Sequence, residues 1–243
     1  QNLEYDEEVP IYGVPVQTRE LFGVLHLKGC VIDDAVIYSG ASINNVYLHK
    51  LDKYRLDRYH VVDSTPLADA FQDMVQRDIL PSGAVHRLDL PSPPTSRSLR
   101  SEIRAFRNHL KRAVYDTSAG VEENGELRVI PLLGVGPRNP LNRTILELIA
   151  ASKTQLTICT PYFNVPLAVT REINRALKRG VKVDIIIGDK KANDFFIPPD
   201  EPFKVISALP YLYEISLRRF AQKHKASIAR HQLNLHLWKE GDN

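Results

Sequence analysis

Cysteine is scarce in this chain. The 243 residues hold two, Cys30 and Cys159, with one methionine and one tryptophan. Both cysteines lie inside apolar runs rather than at framework spacing, which excludes a disulfide scaffold and predicts reduced, buried thiols in a cytosolic protein. No apolar run approaches the roughly 20 residues of a membrane span, and no signal peptide is visible. Low-complexity tracts are absent, and the 16 prolines and 12 glycines are spread through the chain, so disorder is not expected. Charge of one sign is also lacking: 32 basic residues face 29 acidic ones, and a net +3 names no class of partner.

What is present is enough apolar sequence for a core. A 43% hydrophobic and 25% charged chain can form one large domain or two small ones. Residues 9–63 read mostly as strands. VLHLKGCVI and AVIYSG flank Asp33-Asp34 as a hairpin, and RYHVV from Arg58 follows as a short strand. PLADAFQDMVQRDIL reads as a helix capped by Ser64 or Thr65, with proline in its first turn. PSPPTS at 91–96 reads as a stiff linker. In the later half, QLTICTPYF, LAVTREINRALKRG and VKVDIIIGD form a strand–helix–strand unit, hence a parallel pair, and HQLNLHLW is one further strand.

Two basic segments have helical spacing. From Arg97, Leu99, Ile103, Phe106, Leu110 and Val114 form an apolar stripe with Arg100, Arg104, Arg107 and Lys111 beside it. From Leu212 runs LYEISLRRFAQKHKASIARH. Each is either a solvated helix packed on a core, the favoured reading, or a contact for an anionic membrane surface. Nucleic acid is the less favoured partner.

The densest chemistry lies in GVLHLKGCVIDDAVIYSGASINN, residues 23–45. His26 and Lys28 are two apart in an expected strand, so both side chains share one face. A neutral imidazole, with a reference pKa of about 6.5, suits nucleophilic attack on phosphorus. The neighbouring ammonium stabilises charge on the non-bridging oxygens. Asp33 is either a buried partner of a polar group or a turn former. Gly40 lets backbone approach a phosphate, and Ser42 and Asn44 can donate hydrogen bonds to it. Lys190 and Asn193 follow a strand's carboxyl end, where they can reach substrate phosphate, although helix capping accounts for Asn193 nearly as well. Asp57 reads as a surface acid or an orienting partner for a histidine, and Trp238 as core or a membrane-interface anchor.

His26-Leu-Lys28-Gly-Cys-Val-Ile-Asp33 matches the His-x-Lys-x4-Asp signature of the phospholipase D superfamily. With VPIYGVPVQTRE, YSGASINNVYLHKLDKYRLDRYH, LTICTPYFNVP, GDKKANDFFIPPDEPFK and ALPYLYEISLRRF, the chain resembles the bacterial phosphatidylserine synthase branch of that superfamily. The resemblance implies an α/β, phospholipase D-like fold. Residues 1–90 would be the back of one repeat, 91–125 a linker and basic helix, and 126–243 the front of a second repeat. It also implies transfer of a phosphatidyl group from CDP-diacylglycerol to L-serine with release of CMP and no metal or other cofactor, by an enzyme peripheral on the cytoplasmic side of the inner membrane. By carry-over His26 is the nucleophile or its acid/base partner, Lys28 binds phosphate, Asp33 holds the motif by a buried polar contact, and Ser42 and Asn44 complete the cradle.

The chain departs from the family in two ways. Gly40-Ala41-Ser42-Ile43-Asn44 replaces Gly-Ser-x-Asn, and a second His-x-Lys-x4-Asp is missing. One ring cannot be both neutral nucleophile and protonated acid in the same step. The expectation is therefore a fragment, inactive alone. A homo-oligomer pairing two copies of His26 is the alternative that the repeat order argues against. A cardiolipin-synthase-like transferase, a phosphodiesterase and a non-catalytic binding module are the other readings.

Overall fold

The computed structural model describes residues 10–14, 27–42, 45–50, 57–121, 127–136, 138–190, 193, 196–197, 201–202 and 204–238. The chain divides into two compact units, Gln1–Leu141 and Asn142–Asn243.

In the first unit, β2 (Cys30–Ile32), β3 (Ala35–Ser39) and β4 (Tyr59–Asp63) form an antiparallel sheet in that order. The hairpin expected around Asp33-Asp34 is present, with Ile32 opposite Ala35 and Cys30 opposite Ile37. Asp33 takes φ 48°, a left-handed conformation that aspartate tolerates in tight turns. A small separate pair joins β1 (Tyr12–Gly13) to β5 (His86–Arg87).

Helix α1 (Thr65–Met74) starts where the sequence predicts, with Ser64 at the cap and Pro66 in the first turn. The Ser64 side chain makes no capping bond; its carbonyl instead accepts from the amides of Leu67 and Ala68. Leu67 and Ala68 pack on Val36 of β3. The helix does not run on as a regular α-helix through Ile79. Val75–Ile79 forms a π turn, in which the Leu80 amide reaches back five residues to the Val75 carbonyl at 2.9 Å.

Helix α2 (Arg100–Leu110) is the first basic segment. Phe106 and Leu110 join Met74, Ala84, Val85 and Leu133 in a core, with Ile103 packed against it. Each such side chain contributes about 1.5–3 kcal/mol by leaving water. Arg100, Arg104, Arg107 and Lys111 point to solvent. Val114 was expected to continue the apolar stripe but is 60% exposed, because the helix stops at Leu110. Between the π turn and α2 lies a buried carboxylate. Asp78 accepts from Arg77 Nη2 and His109 Nε2, both at 2.8 Å. Burial pushes its carboxyl up, but these two donors outweigh burial and hold it below the ordinary range.

The second unit is built on a parallel sheet, β6 (Gln155–Thr160), β7 (Lys182–Gly188) and β8 (Leu233–Trp238), with β7 central. Parallel neighbours need crossovers. Helix α4 (Leu167–Lys178) joins β6 to β7, while α5 (Ala208–Lys223) and α6 (Lys225–Ala229) lie between β7 and β8. Period-two alternation sends Val183, Ile185 and Ile187 into one core with Ile173, Ala176 and Leu177 of α4 and Phe220 of α5. Gly180 ends α4 at φ 89°, so that Gly180 N bonds Leu177 O and Val181 N bonds Ala176 O before the chain enters β7. Helix α3 (Pro140–Ala151), which opens this unit, went unanticipated.

The other face of this sheet is polar. Asp184 accepts from Asn234 Nδ2 at 2.8 Å, Gln155 Nε2 at 3.2 Å and His236 Nε2 at 3.3 Å. Cys159 lies on β6 two residues beyond Thr157, on this face, and is exposed; Cys30 is half-buried. The expectation of two buried thiols is thus corrected. Trp238 is 60% exposed at the end of β8, so the core reading of that residue fails as well.

Candidate active site

The hairpin explains how the motif is assembled. Because β2 and β3 run antiparallel, the residues just before one and just after the other emerge side by side. Lys28 precedes β2 and Ser42 follows β3, and Lys28 Nζ donates to Ser42 Oγ at 2.7 Å. Both side chains are half-buried. Gly29 makes this approach possible, because its φ of 123° is a conformation open to glycine and strained for other residues. That glycine also shortens the strand. An uninterrupted strand through residues 24–32 was expected, whereas β2 begins only at Cys30, so Lys28 is set by the bend at Gly29 rather than by strand alternation.

Beyond β3 the chain turns sharply. Ser39 is buried and its Oγ accepts from the Ala41 amide at 3.0 Å. Gly40 lies against Asp57, whose Oδ2 would be 3.2 Å from a Cβ on the glycine. The Asp57 carboxylate also accepts from the Arg58 amide at 2.7 Å.

His26 and Asn44 fall outside the described residues. Asp33 sits at the turn end of the hairpin, five residues from Lys28 and beyond the far end of β2. It is exposed, so the buried polar contact implied by the resemblance is replaced by the turn-forming role. Of the motif residues described, the structure therefore brings together Lys28 and Ser42 and sets Asp33 apart.

A second cluster occupies the carboxyl end of the parallel sheet, where loops after strands tend to bind ligands. A cavity of about 330 Å³ opens there, with Lys190 and Asn193 in its wall. Asn193 is 2% exposed. Glu214 accepts from Lys190 Nζ at 3.2 Å and from Arg218 Nη2 at 2.6 Å. Arg218 first, then Lys190, hold the Glu214 carboxyl below its ordinary range. Lys190 Nζ also lies 5.5 Å from the centre of the Tyr211 ring. Tyr162 and Tyr213, both in the cavity wall, stack on each other with centroids 5.8 Å apart. Gly188 lets the ends of β6 and β7 approach, since a Cβ there would meet the Pro161 carbonyl at 2.9 Å.

Sequence reasoning found Lys190 and Asn193 but not Glu214, Arg218 or the tyrosine pair. One signal was available: Glu214 and Arg218 are four apart on a helix, which places an acid and a base on one face. Among the described residues, no group of three His, Cys, Asp or Glu is placed to hold a metal ion, and no helix is long and apolar enough to cross a membrane.

Residues 145–236 match a family described as cardiolipin synthase, phospholipase D-like domain. Over 236 residues the chain is 50% identical to the CDP-diacylglycerol–serine O-phosphatidyltransferase of Escherichia coli K12, covering 97% of this chain and 52% of that protein. The Haemophilus influenzae enzyme of the same name is 47% identical over 240 residues, covering 98% of this chain and 53% of its own. The crystal structure of phosphatidylserine synthase from Haemophilus influenzae Rd KW20 superposes with a TM-score of 0.87 at 47% identity, over 96% of this chain and 52% of that one. The chain thus spans about half the length of the curated relatives it matches. By sequence and by α/β fold, the chain is similar to the bacterial phosphatidylserine synthases over about half of their length, and residues 145–236 match the phospholipase D-like domain.

Proposed function

We propose that the chain supplies one motif of a phosphatidyltransferase that makes phosphatidylserine and CMP from CDP-diacylglycerol and L-serine. The observation carrying this reading is the Lys28–Ser42 hydrogen bond, which holds an ammonium at the mouth of the motif hairpin. Chain-long similarity to two serine O-phosphatidyltransferases supports the choice of substrates over the cardiolipin-synthase-like alternative.

In this reading the neutral His26 imidazole attacks the phosphorus that bears diacylglycerol. A phosphorus–nitrogen bond forms, the bond to the bridging oxygen breaks, and CMP leaves. The serine hydroxyl then attacks the same phosphorus and gives its proton to a second histidine, left neutral after protonating the departing CMP. The phosphorus–nitrogen bond breaks and the imidazole is regenerated. Lys28 holds the non-bridging oxygens through both steps, where preorganised charge acts most strongly. Ser42 fixes the ammonium, and Asn44 completes the cradle. The second histidine, protonated when His26 is neutral, serves the leaving group.

The reaction belongs at a cytosol-facing membrane surface. On α5, Tyr211, Leu212 and Ile215 are exposed beside Arg218 and Arg219, a composition suited to an anionic lipid interface. Helix α2 differs, because its apolar side is already buried in the first unit and its cations face outward among other polar residues.

The test uses the complete gene product with CDP-diacylglycerol in mixed micelles. Serine-dependent CMP release is expected, with loss of at least about a hundredfold in Lys28→Gln. CMP release that ignores serine, or a fully active Lys28→Gln, refutes the reading.

A further inference from the structure

We infer that the cavity at the carboxyl end of the β6–β7–β8 sheet is the acceptor subsite, holding the ammonium and carboxylate of the amino acid; this rests on the reaction proposed above. The charges in its wall alternate. Lys190 and Arg218 stand on either side of Glu214, and Asp189 lines the same cavity, so two cations meet two anions. A diphosphate would bring several negative charges against two carboxylates. An α-amino acid brings one charge of each sign and no net charge.

Each charged group of the zwitterion has a partner of opposite sign in the wall. Glu214, the most buried of the three bridging side chains at 27% exposure, is the partner for the ammonium. Lys190 is the main partner for the carboxylate; Arg218, at 75% exposure, closes the outer edge. Glu214 pairs with both cations, so the charged groups hold one another in place. Such preorganisation lowers the ordering cost of binding. The stacked Tyr162 and Tyr213 form a rigid wall, and Phe163, Ile187 and Leu217 form an apolar floor. The cavity is at the small end of the range for small-molecule pockets, which suits an amino acid better than a nucleotide.

Opposite signs in the wall give a sharp test in the complete gene product. Glu214→Gln and Lys190→Gln are each expected to raise the serine KM about ten- to a hundredfold, with kcat within about threefold of wild type, the range for losing one hydrogen bond to a charged group. Had the cavity taken a phosphate, the two variants would act in opposite directions. Removing Glu214 would lower the CDP-diacylglycerol KM and removing Lys190 would raise it, with the serine KM unmoved. That result overturns the acceptor assignment. Lys190 is 37% exposed, so its replacement opens no core; an inactive Glu214→Gln with an unaltered serine KM in Lys190→Gln also overturns it. A wild-type enzyme without serine-dependent CMP release refutes the reaction instead, so the two failures are distinguishable.

Discussion

Removing the hydroxyl of Ser42 isolates what the hairpin does for the lysine. In Ser42→Ala the Lys28 ammonium loses a 2.7 Å acceptor while keeping its charge. A hydrogen bond to a charged group is worth about 1.5–3 kcal/mol, and because both side chains are half-buried the lower end applies. About 1.5 kcal/mol corresponds to roughly tenfold in rate. The expected outcome is a tenfold fall in kcat for serine-dependent CMP release by the complete gene product, with the serine KM within twofold. Ser42→Thr, which keeps a hydroxyl, should recover most of the loss. The decisive comparison is a double-mutant cycle with Lys28→Gln. If Ser42 acts through Lys28, then Ser42→Ala costs less than about twofold once the ammonium is gone. An undiminished tenfold loss in that background, or a Ser42→Ala enzyme as fast as wild type, refutes the positioning role.

Two further predictions concern stability. Ile185, at 0% exposure in the centre of the second unit, should cost about 2–5 kcal/mol when truncated to alanine, read as a urea midpoint lowered by about 1–2 M in the fluorescence of Trp238; an unmoved midpoint contradicts the packing. Asp184 is held below the ordinary carboxylate range by Asn234 first and by His236 and Lys182 besides, against the upward push of burial. Its folded pKa is depressed, so its contribution is full above the unfolded value of about 4 and is lost as pH falls through the folded one. Asp184→Asn should therefore melt about 3 °C below wild type at pH 7, with the gap closing below pH 4; a gap that persists in acid removes the charge from the explanation.

The elements with strong local signals were legible. Apolar alternation in VKVDIIIG, the glycine closing α4 and the proline opening α1 each mark structure that needs no distant partner to be recognised. Helix α3 was not, because NPLNRTILELIAA follows a run of prolines and glycines that reads as loop. In the site, spacing identified Lys28 and Ser42 as candidates, but their contact depends on hairpin register and on the φ of Gly29, neither of which periodicity encodes. Asp33 shows the converse. Its place in a motif suggested a buried contact, and its place in a two-residue turn decided against one. The proposed acceptor cavity draws its charged groups from Asp189 and Lys190 after β7 and from Glu214 and Arg218 on α5, so its charge alternation exists only after folding.

The π turn at Val75–Ile79 leaves a mark on how this part of the sequence can change length. One residue more than an α-helix requires turns the following surface by about 100°. That phase presents Asp78 to His109 of α2. Deleting a single codon at Gln76 would restore ordinary helical winding, a local improvement, yet it would swing the carboxylate away from its imidazole partner. Substitutions along 75–79 can therefore be absorbed one at a time, whereas a length change here has to be matched by a rearrangement in a helix more than twenty residues downstream. Drift in this segment should accordingly run through amino-acid replacement and not through gain or loss of residues.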